Sequence, residues 1–283
     1  MEVTRTVAET RKACDAARSA GRSAGFVPTM GAFHEGHLSL IRRARGERDS
    51  VVVSIFLNPL QFGSGEDLAR YPRDEDRDLA AAEELGVDLV FAPSVEEMYP
   101  GGEPEVTVDP GPLGDRLEGA SRPGHFRGVA TVVAKLFHVI GPSRAYFGEK
   151  DAQQLAVIRR MVLDLAYPVE VVGCPIVREP GGLAMSSRNA YLTPEQRDAA
   201  GCLFLALSEA AQMARSGERD GAKLVAAMAR EIGATSQARL DYAAAVDEET
   251  FQEVRQITRP ARAVVAARFG ATRLIDNLQL PVL

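Results

Sequence analysis

Gly25-Phe26-Val27-Pro28-Thr29-Met30-Gly31-Ala32-Phe33-His34-Glu35-Gly36-His37 reads as a buried strand that turns into a helix. The apolar run at 25–28 supplies the strand, and Leu38, Leu40, Ile41 and Ala44 recur at helical spacing behind the turn. Two histidines therefore fall at a helix N-terminus. There, unpaired backbone N–H groups and the positive end of the helix dipole favour an anion. Three residues apart, the imidazoles share one face of the first turn. Gly31 and Gly36 let a nucleotide come close to the backbone. The plain alternative is a solvated surface pair. A zinc site is disfavoured, because His34, Glu35 and His37 lack the i, i+4 histidine spacing and no cysteine or third histidine stands nearby.

Outward from this turn the chain alternates strands and helices. Residues 51–56 are β-branched and continuous, as in a strand covered on both faces. A helix is expected over 74–85 and a strand over 87–91. Val129, Val132, Val133, Leu136, Phe137 and Ile140 mark an amphipathic helix over 128–140. A short strand at 145–147, a helix carrying Leu155, Ile158, Val162 and Leu165, and a strand at 169–172 follow. This order implies an α/β fold with a Rossmann-like parallel sheet over 1–175. Ligands of such sheets bind beyond the carboxyl ends of the strands, where His34, Asn58 and Lys150 fall.

The pattern changes near 175. Two Ala-rich helical stretches, 194–215 and 218–233, precede strand candidates at 239–246, 261–268 and 271–276. A smaller α+β domain is expected over 176–283. The joining segment 175–189 carries Pro180, Gly181 and Gly182 and is expected to move.

Composition narrows the function classes. The chain has 283 residues and a net charge of −6, which speaks against coating nucleic acid. Cys14, Cys174 and Cys202 are far apart and form no CxxC pair, so all three are expected to be reduced packing residues. No signal peptide or membrane-spanning run is visible, and a cytoplasmic place is expected.

Other residues carry chemistry. Gly148-Glu149-Lys150-Asp151 ends a strand and opens a helix, with Asp151 a candidate N-cap and Lys150 a point charge beside an anion-ready terminus. Met185-Ser186-Ser187-Arg188 sets two hydroxyls beside a forked guanidinium, a grip suited to polyphosphate. Asn58 and Gln61 place two amides on an apolar wall, which can orient a small hydroxy acid without adding charge. The plain alternative for Asn58 is capping of its own backbone. Gln154 follows Lys150 by one helical turn. His125 and Arg127 lie in a Gly/Pro-framed segment, and His138 falls on the polar face of its helix. There is neither a GxxxxGK[ST] loop nor a GxGxxG turn.

The HxGH turn, the Lys150 turn and the Ser-Ser-Arg loop together resemble the HxGH nucleotidylyltransferase superfamily. Within it the chain is similar to the pantothenate synthetase (pantoate–β-alanine ligase) family. The resemblance is carried by Val27-Pro28-Thr29-Met30-Gly31 with His34 and His37, Asn58-Pro59 with Gln61-Phe62, Tyr71-Pro72-Arg73, His125-Phe126 with Gly128-Val129, Phe147-Gly148-Glu149-Lys150-Asp151 with Gln153-Gln154, Gly182-Leu183-Ala184-Met185-Ser186-Ser187-Arg188-Asn189, and Thr272-Arg273-Leu274-Ile275-Asp276-Asn277. These run in family order across nearly the whole chain.

The resemblance implies a two-step ligation. ATP and (R)-pantoate give pantoyl adenylate and pyrophosphate, and the amine of β-alanine then displaces AMP. It implies that ATP lies against Pro28, Thr29, Met30, Gly31, Ala32, Phe33, His34, Glu35, Gly36, His37, Gly148, Glu149, Lys150, Asp151, Val177, Met185, Ser186, Ser187 and Arg188. His34, His37, Lys150, Ser186, Ser187 and Arg188 would act on the phosphates, with His37 also a proton donor. Pantoate would meet Gln61, Gln154, Met30 and Asn58, and β-alanine would meet Gln61. Mg²⁺ would bridge phosphates, with no metal ligand from the protein. The resemblance further implies a homodimer and a lid role for 176–283, and no nucleic-acid or membrane partner. An adenylyltransferase for another small acceptor and a non-catalytic ATP-binding protein are the competing readings. The chain departs from the family at Phe33, at Arg77 (although Asp78 remains) and at Ala243-Ala244-Ala245, where a more polar stretch is usual and the dimer or lid surface is in question.

Overall fold

The computed structural model describes residues 1–281. It divides into two compact units, Met1–Glu149 with Val157–Pro175, and Lys150–Ala156 with Ile176–Leu283.

The first unit is built on a six-stranded parallel sheet. Its strands are β1 (Glu2–Thr4), β2 (Ala24–Thr29), β3 (Ser50–Ile55), β4 (Leu89–Phe91), β5 (Ser143–Gly148) and β6 (Val169–Cys174), in the order β1-β4-β3-β2-β5-β6. Strand order therefore reverses between β2 and β5, the kind of point where a parallel sheet opens a crevice at its carboxyl edge. Val51, Val52 and Val53 on β3 are all buried, as expected of a strand covered on both faces.

Several helices start where a side chain can satisfy one of their first N–H groups. Asp74 caps the helix Glu75–Glu84 by accepting from the Arg77 N–H. The helix expected over 128–140 begins earlier, at His125, behind Gly124 in the left-handed region. Its Gly128 lies so close to the 3-10 turn Pro59–Gln61 that a Cβ there would be 2.2 Å from the Leu60 carbonyl oxygen. Strand β1 and the helix Val7–Ser19 escaped the sequence reading. That helix starts with a capping box in which Thr6 and Glu9 satisfy each other's backbone N–H groups.

The second unit pairs β7 (Ala238–Asp247), β8 (Ala261–Phe269) and β9 (Thr272–Leu280) as an antiparallel sheet. Helices Cys202–Arg215 and Gly221–Gly233 supply Leu207, Ala210, Leu224 and Met228 to a core shared with Ala263, Val265 and Phe269. The single helix expected over 194–215 is two, Pro194–Ala200 and Cys202–Arg215, divided at Gly201. A Cβ at Gly201 would be 2.8 Å from the Gly181 carbonyl oxygen, so backbone passes there at close range. The last strand runs to Leu280, past the expected 276. Of the departing stretch, Ala244 and Ala245 are buried within β7 and Ala243 is half-buried. The three cysteines are free and buried.

Candidate active site

In the first unit the chain leaves β2 and turns sharply before the helix Glu35–Glu47. Ala32 takes φ 53°, a left-handed conformation that costs a non-glycine residue. The buried carboxylate of Asp78 holds that turn. It accepts the Ala32 and Phe33 N–H groups, each at 2.7 Å. Burial raises the Asp78 pKa even though both N–H groups favour its ionised form.

His34 is not in the first helical turn; it is the N-cap. Its Nδ1 accepts the Gly36 N–H at 3.1 Å. A neutral ring so engaged carries its proton on Nε2. The imidazole has taken over a backbone donor of the helix end and carries an N–H of its own. Gly36 is required by this geometry, because a Cβ would be 2.8 Å from His34 Cε1. The His37 ring stacks near it, centroid to centroid 4.2 Å, and lies 5.7 Å from the Phe33 ring.

Beyond β3, a second group gathers around Gln61. The Gln61 carbonyl accepts from His125 Nδ1 at 2.9 Å and from Arg122 Nη2 at 3.2 Å. Arg122 Nη1 donates to His125 Nε2 at 3.0 Å and its guanidinium also pairs with Glu66 at 2.6 Å. Burial, reinforced by the Arg122 charge, pushes the His125 pKa down to about 4, so this ring is a neutral support. At the side-chain end, Gln61 Oε1 accepts from Asn58 Nδ2 at 3.0 Å, and Gln61 Nε2 lies 3.2 Å from Met30 Sδ.

Asn58 requires a correction. Its Oδ1 accepts from the Leu60 N–H at 3.2 Å and from Tyr99 Oη at 2.8 Å, while Nδ2 also donates to the Gly128 carbonyl at 3.1 Å. With four partners inside the protein and 1 % exposure, Asn58 has nothing left to offer pantoate. It caps its own backbone and orients Gln61.

In the second unit, Lys150 and Asp151 belong to the 3-10 turn Glu149–Asp151, which runs directly into the helix Ala152–Asp164. Asp151 is the residue directly before that helix. Lys150 Nζ lies 3.7 Å from Asp151 Oδ1. The Lys150 carbonyl accepts from Asn277 Nδ2 at 2.9 Å, and Asn277 Oδ1 accepts from Arg262 at 2.5 Å, itself paired with Glu248 at 2.6 Å. Half-buried Gln154 follows in the first turn of the helix.

Residues 175–189, expected to be a movable linker, fold back on themselves. Arg178 and Ala184 form a β-bridge, and the Met185 N–H donates to the Val177 carbonyl at 2.9 Å. Ser186 caps the 3-10 turn Ser187–Tyr191 by accepting from the Arg188 N–H at 3.3 Å. Buried Asn189 ties the loop to Glu179 and to the Ala184 carbonyl. Met185, Ser186, Ser187 and Arg188 are each half-buried. His138 is exposed, as expected, and its ring packs edge-on to Tyr167 at 5.1 Å.

Asp78 and Tyr99 escaped the sequence reading as site residues. For Asp78 a signal existed: it shares the buried stripe of its helix with Ala82, where a carboxylate needs a reason. Tyr99 gave none.

The family model for pantoate-beta-alanine ligase matches residues 2–279. The pantothenate synthetase of Roseiflexus sp. (strain RS-1) is 58% identical over 280 residues, covering 99% of both chains. The crystal structure of pantothenate synthetase from Thermus thermophilus superposes with a TM-score of 0.92 at 53% identity over 99% of each chain. That of pantoate-beta-alanine ligase from Francisella tularensis, complexed with beta-gamma ATP and beta-alanine, has a TM-score of 0.80 at 33% identity, covering 99% of this chain and 97% of that one.

Proposed function

The chain belongs to the pantoate-β-alanine ligase family, and on that premise we propose how its own residues perform the ligation. The reaction joins pantoate to β-alanine and converts ATP to AMP and pyrophosphate. A pantoate carboxylate oxygen attacks the α-phosphorus and pyrophosphate leaves. The β-alanine amine then attacks the acyl carbon, and AMP leaves with that oxygen.

Such a displacement asks for in-line positioning and neutralised charge more than for acid–base work. The stacked His34/His37 pair beyond β2 carries the reading. Through the Gly36 bond, His34 directs its Nε2–H at the phosphates, and His37 supplies a second imidazole and protonates the leaving group. Lys150, Ser186, Ser187 and Arg188 hold the polyphosphate. Pro28, Thr29, Met30, Gly31, Ala32, Phe33, Glu35, Gly36, Gly148, Glu149, Asp151, Val177 and Met185 complete the nucleotide's surroundings. Gln61, Gln154 and Met30 face pantoate, and Gln61 also meets β-alanine. Mg²⁺, bound to the nucleotide's phosphates, neutralises charge there when present. Among the described residues no group of three or more His, Cys, Asp or Glu side chains would hold it.

The same proposal carries a homodimer, a cytoplasmic place, and domains at 1–175 and 176–283 with the latter as a lid. Among the described residues no helix is long and apolar enough to cross a membrane. A sedimentation mass of one chain would overturn the dimer, and identical scattering profiles with and without ATP would overturn the lid.

The deciding test of the reaction supplies ATP, Mg²⁺ and (R)-pantoate, then β-alanine. Pantoate-dependent pyrophosphate followed by β-alanine-dependent AMP and pantothenate is the expected result. No pantoate-dependent pyrophosphate from protein that still binds ATP would point to another acceptor.

A further inference from the structure

We infer that Tyr99 is a positioning residue for pantoate, acting through Asn58 to hold the Gln61 amide with its donor end toward the substrate. The inference rests on the reading of Gln61 as a pantoate contact.

Tyr99 Oη is a buried donor with its acceptor, Asn58 Oδ1, at 2.8 Å. The Leu60 N–H is a second donor to the same oxygen. Two donors fix Oδ1, so Nδ2 must point the other way, at Gln61 Oε1 and the Gly128 carbonyl. Gln61 Oε1 is thereby committed as an acceptor. The end left over is Nε2, beside Met30 Sδ. A donor N–H₂ suits the carboxylate and hydroxyl oxygens of pantoate, whereas a flipped amide would present an acceptor to them. Either amide alone is nearly symmetric in shape; the Leu60 N–H and the Gly128 carbonyl set the orientation of Asn58, and the phenol adds a second donor that holds Oδ1 in place.

The phenol is well placed for this. Its ring is held edge-on to Phe56 at 5.9 Å, and the Lys135 ammonium lies 5.6 Å from its centroid while donating to the Met98 carbonyl. Burial raises the Tyr99 pKa far above neutrality, so it remains a donor throughout the working range. The His125 and Arg122 bonds secure the backbone of Gln61 and leave its side-chain amide to Asn58, which Tyr99 braces.

Kinetics of Tyr99→Phe, Gln61→Ala and the double variant test this. Tyr99→Phe keeps the ring and removes one hydrogen bond, so the pantoate KM should rise about 3- to 10-fold while the ATP KM stays unchanged. In the Gln61→Ala background the same substitution should leave the pantoate KM unmoved, because the residue it acts through is gone. Equal effects of Tyr99→Phe in both backgrounds, or parallel rises in both KM values, would overturn the inference. Partial misfolding lowers kcat but leaves KM in place, so poor folding does not obscure the answer. If Gln61→Ala alone leaves the pantoate KM unchanged, the Gln61 reading itself fails, an outcome distinct from a failure at Tyr99.

Discussion

The histidine turn after β2 and the lysine turn after β5 follow neighbouring strands of one sheet, yet they are held by opposite means. A buried carboxylate, Asp78, grips the histidine turn by its N–H groups. A neutral amide, Asn277, grips the lysine turn by a carbonyl. The difference follows from what each turn must present. The histidine turn contains a strained residue, Ala32, and charge-assisted bonds are roughly twice as strong as neutral ones. The lysine turn is ordinary helical backbone, needs less support, and already carries its own cation. A carboxylate beneath an anion site opposes the ligand's charge, so the stronger grip weakens the field it supports. In the proposed site His34 compensates, because its imidazole cap replaces a backbone N–H with a donor that reaches further.

The largest expected effects come from removing what the two turns present. His37→Ala and Lys150→Ala should each lower pantoate-dependent pyrophosphate release by about 10²–10³, with unchanged far-UV circular dichroism. Wild-type turnover in one variant would remove that turn from the chemistry and break the comparison.

Next come the supports. Asp78→Asn places an amide N–H₂ against a backbone N–H and should cost about 1–3 kcal/mol of stability, seen in urea unfolding, along with a loss of adenylate formation. Unchanged stability would mean that the carboxylate is not what holds the turn. Gly36→Ala should displace the His34 ring and cut activity about tenfold, while the lost cap and the gained helix propensity nearly cancel in the melting temperature. Full activity would show that the imidazole cap is incidental. The smallest effect belongs to Asn277→Ala, expected to cost about 1 kcal/mol with only a few-fold change in rate. A loss larger than that of Asp78→Asn would invert the comparison.

The same contrast explains what was legible in the sequence. The presenting residues are local: His34 and His37, Lys150 and Asp151, Ser186 to Arg188 each lie within one turn, and their spacing points to an anion. The supports are distant. Asp78 is 46 residues from Ala32, Tyr99 41 from Asn58, and Asn277 127 from Lys150. No spacing links such pairs; only the folded sheets do. For Asn58 the local alternative, capping of its own backbone at Leu60, was legible, whereas its partners Tyr99 and Gly128 lie far along the chain. The alternating strands and helices were legible because hydrophobic periodicity is local, whereas the break at Gly201 came from a close backbone approach that periodicity does not encode.

The central claim is that both turns serve attack by the pantoate carboxylate on the α-phosphorus. Pantoate labelled with ¹⁸O in both carboxylate oxygens tests it most directly, with the products read by mass spectrometry. The account predicts one labelled oxygen in AMP and one in the amide carbonyl of pantothenate. Label in inorganic phosphate, with ADP and no AMP as the nucleotide product, would contradict it.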